Sequence, residues 1–393
     1  MICIVEHFRI QRILLFAIGI WPYNQSKFVR FQYSVFLIVT NSFIIFQLTP
    51  FITSKCTSNF IIKILSNIFF CLFCVIHQIS FWINIDVVKS LMECLQHACN
   101  DLKDENEIAI IKKYANSAEY ITILVTLMAG CCAFIMTLMP IYPRILSTFL
   151  LVNISRPLYN MQFVTEYFID KEKNFYLLLL HTYAFVYVAI IALVGGGMIV
   201  CAYLKHISGL FSIASYRIEQ SMILNIYEKT DLRNKMIEKK LCLAVDVHRT
   251  AIELSDLFTS TFNGTYFSLI VISVLCLCLS LYELLETALL REKVEEFLLH
   301  LIFASAILVY YYLSNSCGEE IIQHYSNMFS TAYSIQWYTA PIRIQKFILF
   351  LLQRSCKMHF IKIGGLFITS LEGFASLCTA SVSYFTVIYS VQK

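Results

Sequence analysis

The final apolar run of the chain, from Ile363 to Val391, most constrains what this sequence can fold into. Its only charged residue is Glu372. About 20 apolar residues suffice for a helix to cross a ~30 Å hydrocarbon core, so the run is long enough to span a bilayer. With six similar runs before it, we predict seven spans, numbered 1 to 7, at about 29–52, 60–85, 117–140, 174–203, 261–284, 295–317 and 363–391.

The composition agrees with an all-α membrane protein that forms a single domain over residues 1–393. Apolar residues make up 58% of the chain and charged residues 14%, whereas soluble domains carry about 25% charge. The 15 cysteines are scattered and form no framework of close extracellular pairs, so a disulfide scaffold is not expected. Cys71 and Cys74 have CxxC spacing inside an apolar run, which does not favour a metal or redox site. We therefore predict no metal and no cofactor.

The distribution of basic residues predicts the topology. The N-terminal tail and the loops after spans 2, 4 and 6 hold 21 of the 30 lysines and arginines, and the other side holds nine. Because basic residues favour the cytoplasmic side, we predict a cytosolic N-terminus and an extracellular C-terminus. The short apolar run 13–20 cannot span and predicts an interfacial helix. The sequon at Asn153 then lies outside, where glycosylation is expected.

The long connection between spans 4 and 5 has a helical pattern. From Lys205 to Thr259 it contains one glycine and no proline. We therefore predict that spans 4 and 5 continue as helices into the cytosol.

Small side chains recur along span 7. Ser376, Ala380, Ser383, Val387 and Val391 are spaced by four, three, four and four residues, which places them on one face of a helix. Such a face lets membrane helices pack closely, or lines a narrow axial pathway in a symmetric assembly. Glu372 lies about ten residues into the predicted span, where a structural hydrogen bond and a role in attracting cations both remain open.

Aromatic and polar side chains form one-sided stripes on spans 2, 3, 4 and 6. Such stripes belong either to the core of a helix bundle or to a pocket for a small hydrophobic ligand. The candidate ligand-binding residues are Phe70, Phe73 and His77 (span 2), Cys131 and Phe134 (span 3), Tyr176, Leu180, Tyr183 and Tyr187 (span 4), and His300, Phe303, Ile307 and Tyr310 (span 6). No His-Glu-x-x-His, Ser-His-Asp or paired-carboxylate spacing appears, so we do not predict an enzyme.

Several short segments, in order along the chain, resemble the insect odorant receptors. They are 18–22 (IGIWP), 166–219 (from EYFID to SYRIE), 332–341 (AYSIQWYTAP), 364–375 (from GGLF to SLEGFA) and 383–392 (SYFTVIYSVQ). The resemblance implies an odorant-tuning subunit of a ligand-gated cation channel, placed in the plasma membrane of a sensory dendrite. Its implied partners are a small hydrophobic odorant, membrane lipid and a co-receptor subunit in a heterotetramer, with no nucleic acid.

The resemblance also implies where the sites lie. The family's odorant pocket lies in the outer halves of spans 2, 3, 4 and 6, where the aromatic stripes fall. Its gate is a narrow apolar ring near the outer end of span 7, which Val387 and Val391 match. Ser383 and Ser390 are the neighbouring pore candidates.

Three other functions are weighed against this one. A gustatory receptor shares a related ending on its last span, but 383–393 departs from it. A G-protein-coupled receptor would carry an Asp-Arg-Tyr after span 3, an Asn-Pro-x-x-Tyr in span 7 and the opposite charge bias. A small-solute transporter would show a repeat or paired broken helices, and neither is found.

Overall fold

A computed structural model describes residues 7–142, 162–222, 230–290 and 294–392. Within these ranges, seven helices are long and apolar enough to cross a membrane, which confirms the predicted fold class. Spans 1 to 7 are α2 (Lys27–Leu48, continued by α3, Pro50–Thr53), α4 (Ser58–Ile83), α6 (Glu105–Leu138), α7 (Phe175–Met222), α8 (Thr230–Leu290), α9 (Val294–Ser334) and α11 (Leu371–Gln392). The other elements are α1 (Arg9–Ala17), α5 (Ile85–Asn100), a 3₁₀ turn (Trp337–Thr339), α10 (Ile342–Ser355), β1 (Lys362–Ile363) and β2 (Phe367–Ile368).

Local sequence signals set where the first three spans begin. The side chains of Ser26, Thr57 and Asp104 each accept a hydrogen bond from a backbone N–H in the first turn of the following helix. These bonds satisfy donors that a helix end leaves unpaired. Span 1 is interrupted at Pro50, since proline lacks the N–H that would continue the helix.

Spans 4, 5 and 6 are 48, 61 and 41 residues long, far longer than a bilayer requires. The predicted helical continuation of spans 4 and 5 is therefore confirmed, whereas its cytosolic side stays a prediction. Their extensions pack with α10 around a separate apolar core, here called the basal bundle, which includes Ile218, Leu241 and Ile348. Arg217 of span 4 braces this region by binding both carboxylate oxygens of Glu107, at 2.6 and 2.8 Å.

The N-terminal helix α1 packs into the bundle. Leu15 is buried against span 4, where a Cβ at Gly195 would lie 3.0 Å from the Leu15 side chain. Gln11 donates a 2.9 Å hydrogen bond to the Thr122 hydroxyl of span 3. A helix thus exists near the predicted position, at Arg9–Ala17, and it is held by spans 3 and 4, whereas its interfacial placement stays a prediction.

Span 7 begins at Leu371, later than the sequence predicted. Residues 361–370, here called the hairpin, pair β1 with β2 in antiparallel register instead of continuing a helix. Gly364 and Gly365 have φ values of +63° and +70°, which break the apolar run because L side chains rarely adopt them. The predicted depth of Glu372 is therefore wrong. It lies exposed in the first turn of span 7, where the positive end of the helix dipole stabilises a carboxylate.

The main core lies among spans 2, 4, 5 and 6, where long apolar helices pack on one another. Span 7 lies at the edge of this core and packs on spans 5 and 6. Its buried face is formed by Gly373, Leu377 and Ser381. Phe374, Cys378, Phe385, Ile388 and Tyr389 are half-buried beside this face, and most other residues of span 7 are exposed.

Candidate functional site

A cavity of about 200 Å³ lies among spans 2 to 6. One water molecule needs only ~10–15 Å³ by a comparable measure, so a small organic molecule has room here. The wall is mainly apolar, and its oxygen-bearing side chains are Tyr266, Ser305, Tyr310, Ser314 and Thr369. This composition suits a hydrophobic ligand with little polar surface.

Four aromatic rings enclose the end of the cavity near the start of span 4. Phe70 of span 2 stacks on Phe303 of span 6, with ring centroids 3.9 Å apart and planes 9° apart. Phe163 and Phe185 complete this wall, with centroids 6.5 Å apart and rings nearly perpendicular. Rings in these offset and edge-on contacts make a rigid apolar surface.

The segment before span 4 holds Phe163 in place. The Glu166 N–H donates to the carbonyl of Phe46, and the Thr49 hydroxyl donates to the carbonyl of Glu166, at 3.0 and 2.6 Å. The Glu166 carboxylate also pairs with the Lys171 ammonium at 2.8 Å. Because Lys171 stabilises the charged carboxylate, the pKa of Glu166 is lowered from its usual value.

The hairpin forms the opposite end of the cavity, through Ile361, Ile363 and Thr369. It is clamped to span 6. The Asn315 side-chain oxygen accepts from the Ser370 N–H at 3.2 Å, and Thr369 packs so closely on Gly318 that a Cβ there would collide with its hydroxyl and carbonyl oxygens. The wall of the cavity is therefore covalently continuous with the start of span 7.

Three of the thirteen predicted ligand residues line this cavity: Phe70, Phe303 and Tyr310. Four others are buried in the surrounding core without lining it: Phe73, His77, His300 and Ile307. For example, the His300 Nδ1 lies 3.3 Å from the Ser66 hydroxyl, in a polar contact between spans 2 and 6.

The remaining six predicted residues lie away from the cavity. Cys131, Phe134, Tyr176, Leu180 and Tyr187 are exposed on the surface of the bundle, with exposures of 60% for Phe134 and 66% for Leu180. Tyr183 joins spans 4 and 3, since its hydroxyl donates to the Thr137 carbonyl at 2.6 Å. The aromatic stripe of span 4 thus faces span 3 and the bundle surface.

The face of span 4 that does line the cavity differs from the predicted aromatic stripe. This face includes Phe185, Ala189, Leu193 and Gly197. Span 4 is apolar on nearly every side, so periodicity carries no signal about which face borders a cavity. Span 3 does carry a periodic signal for its cavity-lining face, because Met128, Cys132 and Met136 recur at steps of four and all line the cavity. Adaptable thioether side chains are common in such walls.

The predicted stripe on span 7 does not pack against this chain. Val387 and Val391 are 58% and 77% exposed, Ser376, Ser383 and Ser390 are also exposed, and Ala380 is half-buried. Two of the exposed serines donate to backbone carbonyls one turn back, Ser376 to Glu372 at 2.9 Å and Ser390 to Val387 at 2.8 Å. Among the described residues this stripe is therefore not a packing face, and it is open to lipid, to another subunit or to a water-filled pathway.

The described residues contain no group of three His, Cys, Asp or Glu side chains placed to hold a metal ion. The nearest approach to a soft-ligand site is the Cys201–Cys317 pair, whose sulfurs lie 3.4 Å apart. Two thiols do not make a closed structural zinc site, which needs four ligands.

Two comparisons with known proteins bear on this architecture. The insect olfactory receptor OR5 from Machilis hrabei, solved in complex with eugenol, superposes over 98% of this chain and 98% of its own, with a TM-score of 0.79 and 15% identity. A second structure of OR5 gives a TM-score of 0.75 at 16% identity over 99% and 98% of the two chains. At this identity the likeness shows the fold alone. A search of curated proteins finds no match.

The family model of the seven-transmembrane odorant receptors matches residues 57–382, which include spans 2 to 6, the hairpin and half of span 7. This match favours the odorant receptors over the gustatory, G-protein-coupled and transporter alternatives. The chain is a multi-pass membrane protein that belongs to the insect odorant receptor family.

Proposed function

We propose that this chain is the odorant-binding subunit of a ligand-gated, non-selective cation channel that it forms with a co-receptor. One observation carries the proposal: the wall of an apolar cavity includes the hairpin from which span 7 begins. A molecule that fills the cavity contacts the same short segment that positions an exposed, membrane-long helix. Binding and gating therefore share one structural element.

The cavity supports the choice of ligand class. Each CH₂ group moved from water into such a wall contributes about 0.8 kcal/mol before ordering costs are subtracted. A small volatile with a hydrocarbon body gains most of its affinity this way, and the stacked Phe70 and Phe303 rings give it a flat surface. That OR5 was solved with eugenol supports a ligand of this size.

The route from cavity to pore runs through span 6. Asn315 and Gly318 contact the hairpin at Ser370 and Thr369. We propose that ligand contact with Thr369 shifts the hairpin against this clamp and turns span 7. Such a shift changes the gate only if the ligand binds the open and closed arrangements with different affinity.

The exposed face of span 7 supports the proposed pore. One helix cannot enclose a pathway, but several subunits can each present one face to a common axis. Val387 and Val391 then form this chain's share of an apolar constriction that closes by dewetting, with Ser383 and Ser390 as pore neighbours. Glu372 lies near the other end of the helix, where we propose a mainly structural role at the helix N-terminus.

The basal bundle offers a contact surface for the co-receptor. In α10 the side chains of Ile342, Leu349 and Phe350 are exposed although the helix is amphipathic and its opposite face is buried. An exposed apolar strip beside charged groups such as Arg343 is typical of a protein interface. We propose that this strip contacts neighbouring subunits of a heterotetramer.

The location follows from the same proposal. We propose the plasma membrane of a sensory dendrite, with the N-terminus in the cytosol. Asn153, the proposed glycosylation site, lies outside the residues that the structure describes.

The test is to record currents from cells that express this chain, the co-receptor, or both, during exposure to a panel of small volatiles. We expect ligand-evoked cation currents whose ligand profile depends on this chain and which require both subunits. Responses identical to those of the co-receptor alone would contradict a ligand-binding role for this chain.

A further inference from the structure

One part of the cavity wall carries tyrosine hydroxyls, and the core behind it an imidazole, for which no described residue supplies a hydrogen-bond partner. Tyr266 of span 5 and Tyr310 of span 6 both line the cavity. The Tyr310 hydroxyl is buried without a hydrogen-bond partner in the described part of the chain. None of the hydrogen bonds between described residues involves the Tyr266 hydroxyl.

His77 of span 2 lies behind the Tyr310 ring, in the core that surrounds the cavity. Both of its ring nitrogens are buried and lack a partner among the described residues. Its ring meets the Tyr310 ring edge-on, with centroids 6.4 Å apart. A Cβ at Gly196 would lie 2.5 Å from His77 Cε1, so the absence of a side chain on span 4 creates the space for this imidazole.

Unpartnered polar groups of this kind need an explanation. Buried donors and acceptors in folded proteins are nearly always paired, because an unpaired group keeps the full cost of leaving water. Here the Tyr310 hydroxyl and the His77 imidazole are such groups, and the Tyr266 hydroxyl belongs to the same otherwise apolar cavity wall. The arrangement is stabilised when a molecule in the cavity supplies the missing partner.

We propose that the Tyr266 and Tyr310 hydroxyls, backed by His77, bind the single oxygen-bearing group of the ligand. The hydroxyls donate, so the ligand accepts, as the oxygen of a ketone, aldehyde, ester or ether does. The hydrocarbon part lies along the Phe70, Phe185 and Phe303 wall. This inference rests on the proposed function and defines its ligand class: small apolar molecules with one acceptor oxygen, in preference to pure hydrocarbons.

The expected preference for a ligand with an acceptor oxygen over a hydrocarbon can be expressed as a ratio of affinities. A site with unpaired polar groups discriminates strongly against an analogue that lacks the matching group, since those groups then stay unpaired. One net hydrogen bond corresponds to about tenfold in affinity. We therefore expect heptanone to bind about tenfold or more tightly than heptane.

The test uses the purified full-length chain and the fluorescent apolar probe N-phenylnaphthylamine, displaced by heptane or by heptanone. The variants are Tyr266→Phe and Tyr310→Phe, which remove one oxygen each and keep the ring. The matched control is Tyr183→Phe, because that hydroxyl is bonded to the Thr137 carbonyl and Tyr183 does not line the cavity. Thermal unfolding of each variant verifies that it is folded.

We expect each cavity variant to lower the heptanone-to-heptane preference severalfold, and the two together to abolish it, with heptane affinity unchanged. The control keeps the parent's preference. If both cavity variants also keep the heptanone-to-heptane preference, or if the parent chain shows no such preference, the hydroxyls bind only water and the inference fails. Binding of apolar molecules in the cavity still stands in that case. If no apolar molecule binds the parent chain, the proposed function fails as well.

Discussion

The backbone N–H of Leu371, the first residue of span 7, donates a 3.1 Å hydrogen bond to the Glu319 carboxylate of span 6. About one turn of span 6 therefore holds the hairpin and the start of the proposed pore helix, through Asn315, Gly318 and Glu319. A carboxylate that accepts from the free N–H of a first helical turn makes a charge-assisted bond. This clamp is where the cavity and span 7 meet.

The first prediction concerns the clamp. In Gly318→Ala the new Cβ collides with the carbonyl oxygen of Thr369, so the hairpin must shift. We expect ligand affinity, measured by probe displacement, to change by less than about threefold, while the ligand-evoked current falls by about tenfold or more. In the control, Gly130→Ala, no heavy atom lies within 4 Å of the new Cβ, and both quantities should stay unchanged. Equal currents in both variants would contradict the proposed coupling.

The second prediction concerns the size of the cavity. Gly197 lines it, and no heavy atom lies within 4 Å of a Cβ built there, so Gly197→Val adds bulk to the cavity from an open Cβ position. We expect large ligands of the panel to lose about tenfold or more in potency while the smallest keep theirs. Gly264→Val is the control, since its Cβ position is also open but does not line the cavity. An unchanged size profile in Gly197→Val would place the ligand elsewhere.

How much of this could be read from the sequence depends on the kind of signal. Hydropathy located all seven spans, because crossing a membrane requires long apolar helices. The predicted start of span 7 is too early, because the Gly364-Gly365 turn lies inside an apolar run and hydropathy does not report a positive φ. The cavity-lining face of span 4 could not be predicted because this helix is apolar on nearly all sides. Its sequence pattern does not distinguish Phe185, which lines the cavity, from Tyr183, which does not.

Long-range placement explains the other misses. Phe163 reaches the cavity from outside any span, and Ile363 and Thr369 reach it from the hairpin. No local sequence pattern predicts such contacts, because they arise when segments that are distant in the sequence pack together. The exposed face of span 7, by contrast, follows directly from helical spacing and was identified correctly as a face, although its role as a pore stays a prediction.

The third prediction concerns pH. The Glu166 pKa is lowered by Lys171, so their pair stabilises the fold above the usual carboxyl pKa, and the contribution is lost as pH falls through the lowered value. We expect the difference in unfolding temperature between the parent and Lys171→Met to be constant from about pH 5 to 8 and to shrink in more acidic solution. A difference that persists in strong acid would mean that the ammonium acts through its 3.2 Å bond to the Thr165 carbonyl instead.

The fourth prediction concerns topology. The asymmetry of 21 to nine basic residues predicts that an epitope tag at the N-terminus stains only after permeabilisation, whereas one at the C-terminus stains on intact cells. An N-terminal tag that is visible on intact cells would overturn the proposed orientation and place the gate valines on the cytosolic side.

The most direct test of the account measures how fast a charged thiol reagent, applied from outside, modifies Val387→Cys coexpressed with the co-receptor. Val387 is exposed on span 7, whereas Ser381 is fully buried against the rest of the chain, so Ser381→Cys is the matched control. The account predicts that ligand speeds modification of Val387→Cys by about tenfold, that modification blocks the current, and that Ser381→Cys does not react. Modification at the same rate with and without ligand, or with conductance and cation selectivity unchanged, would contradict a ligand-gated pore on this face.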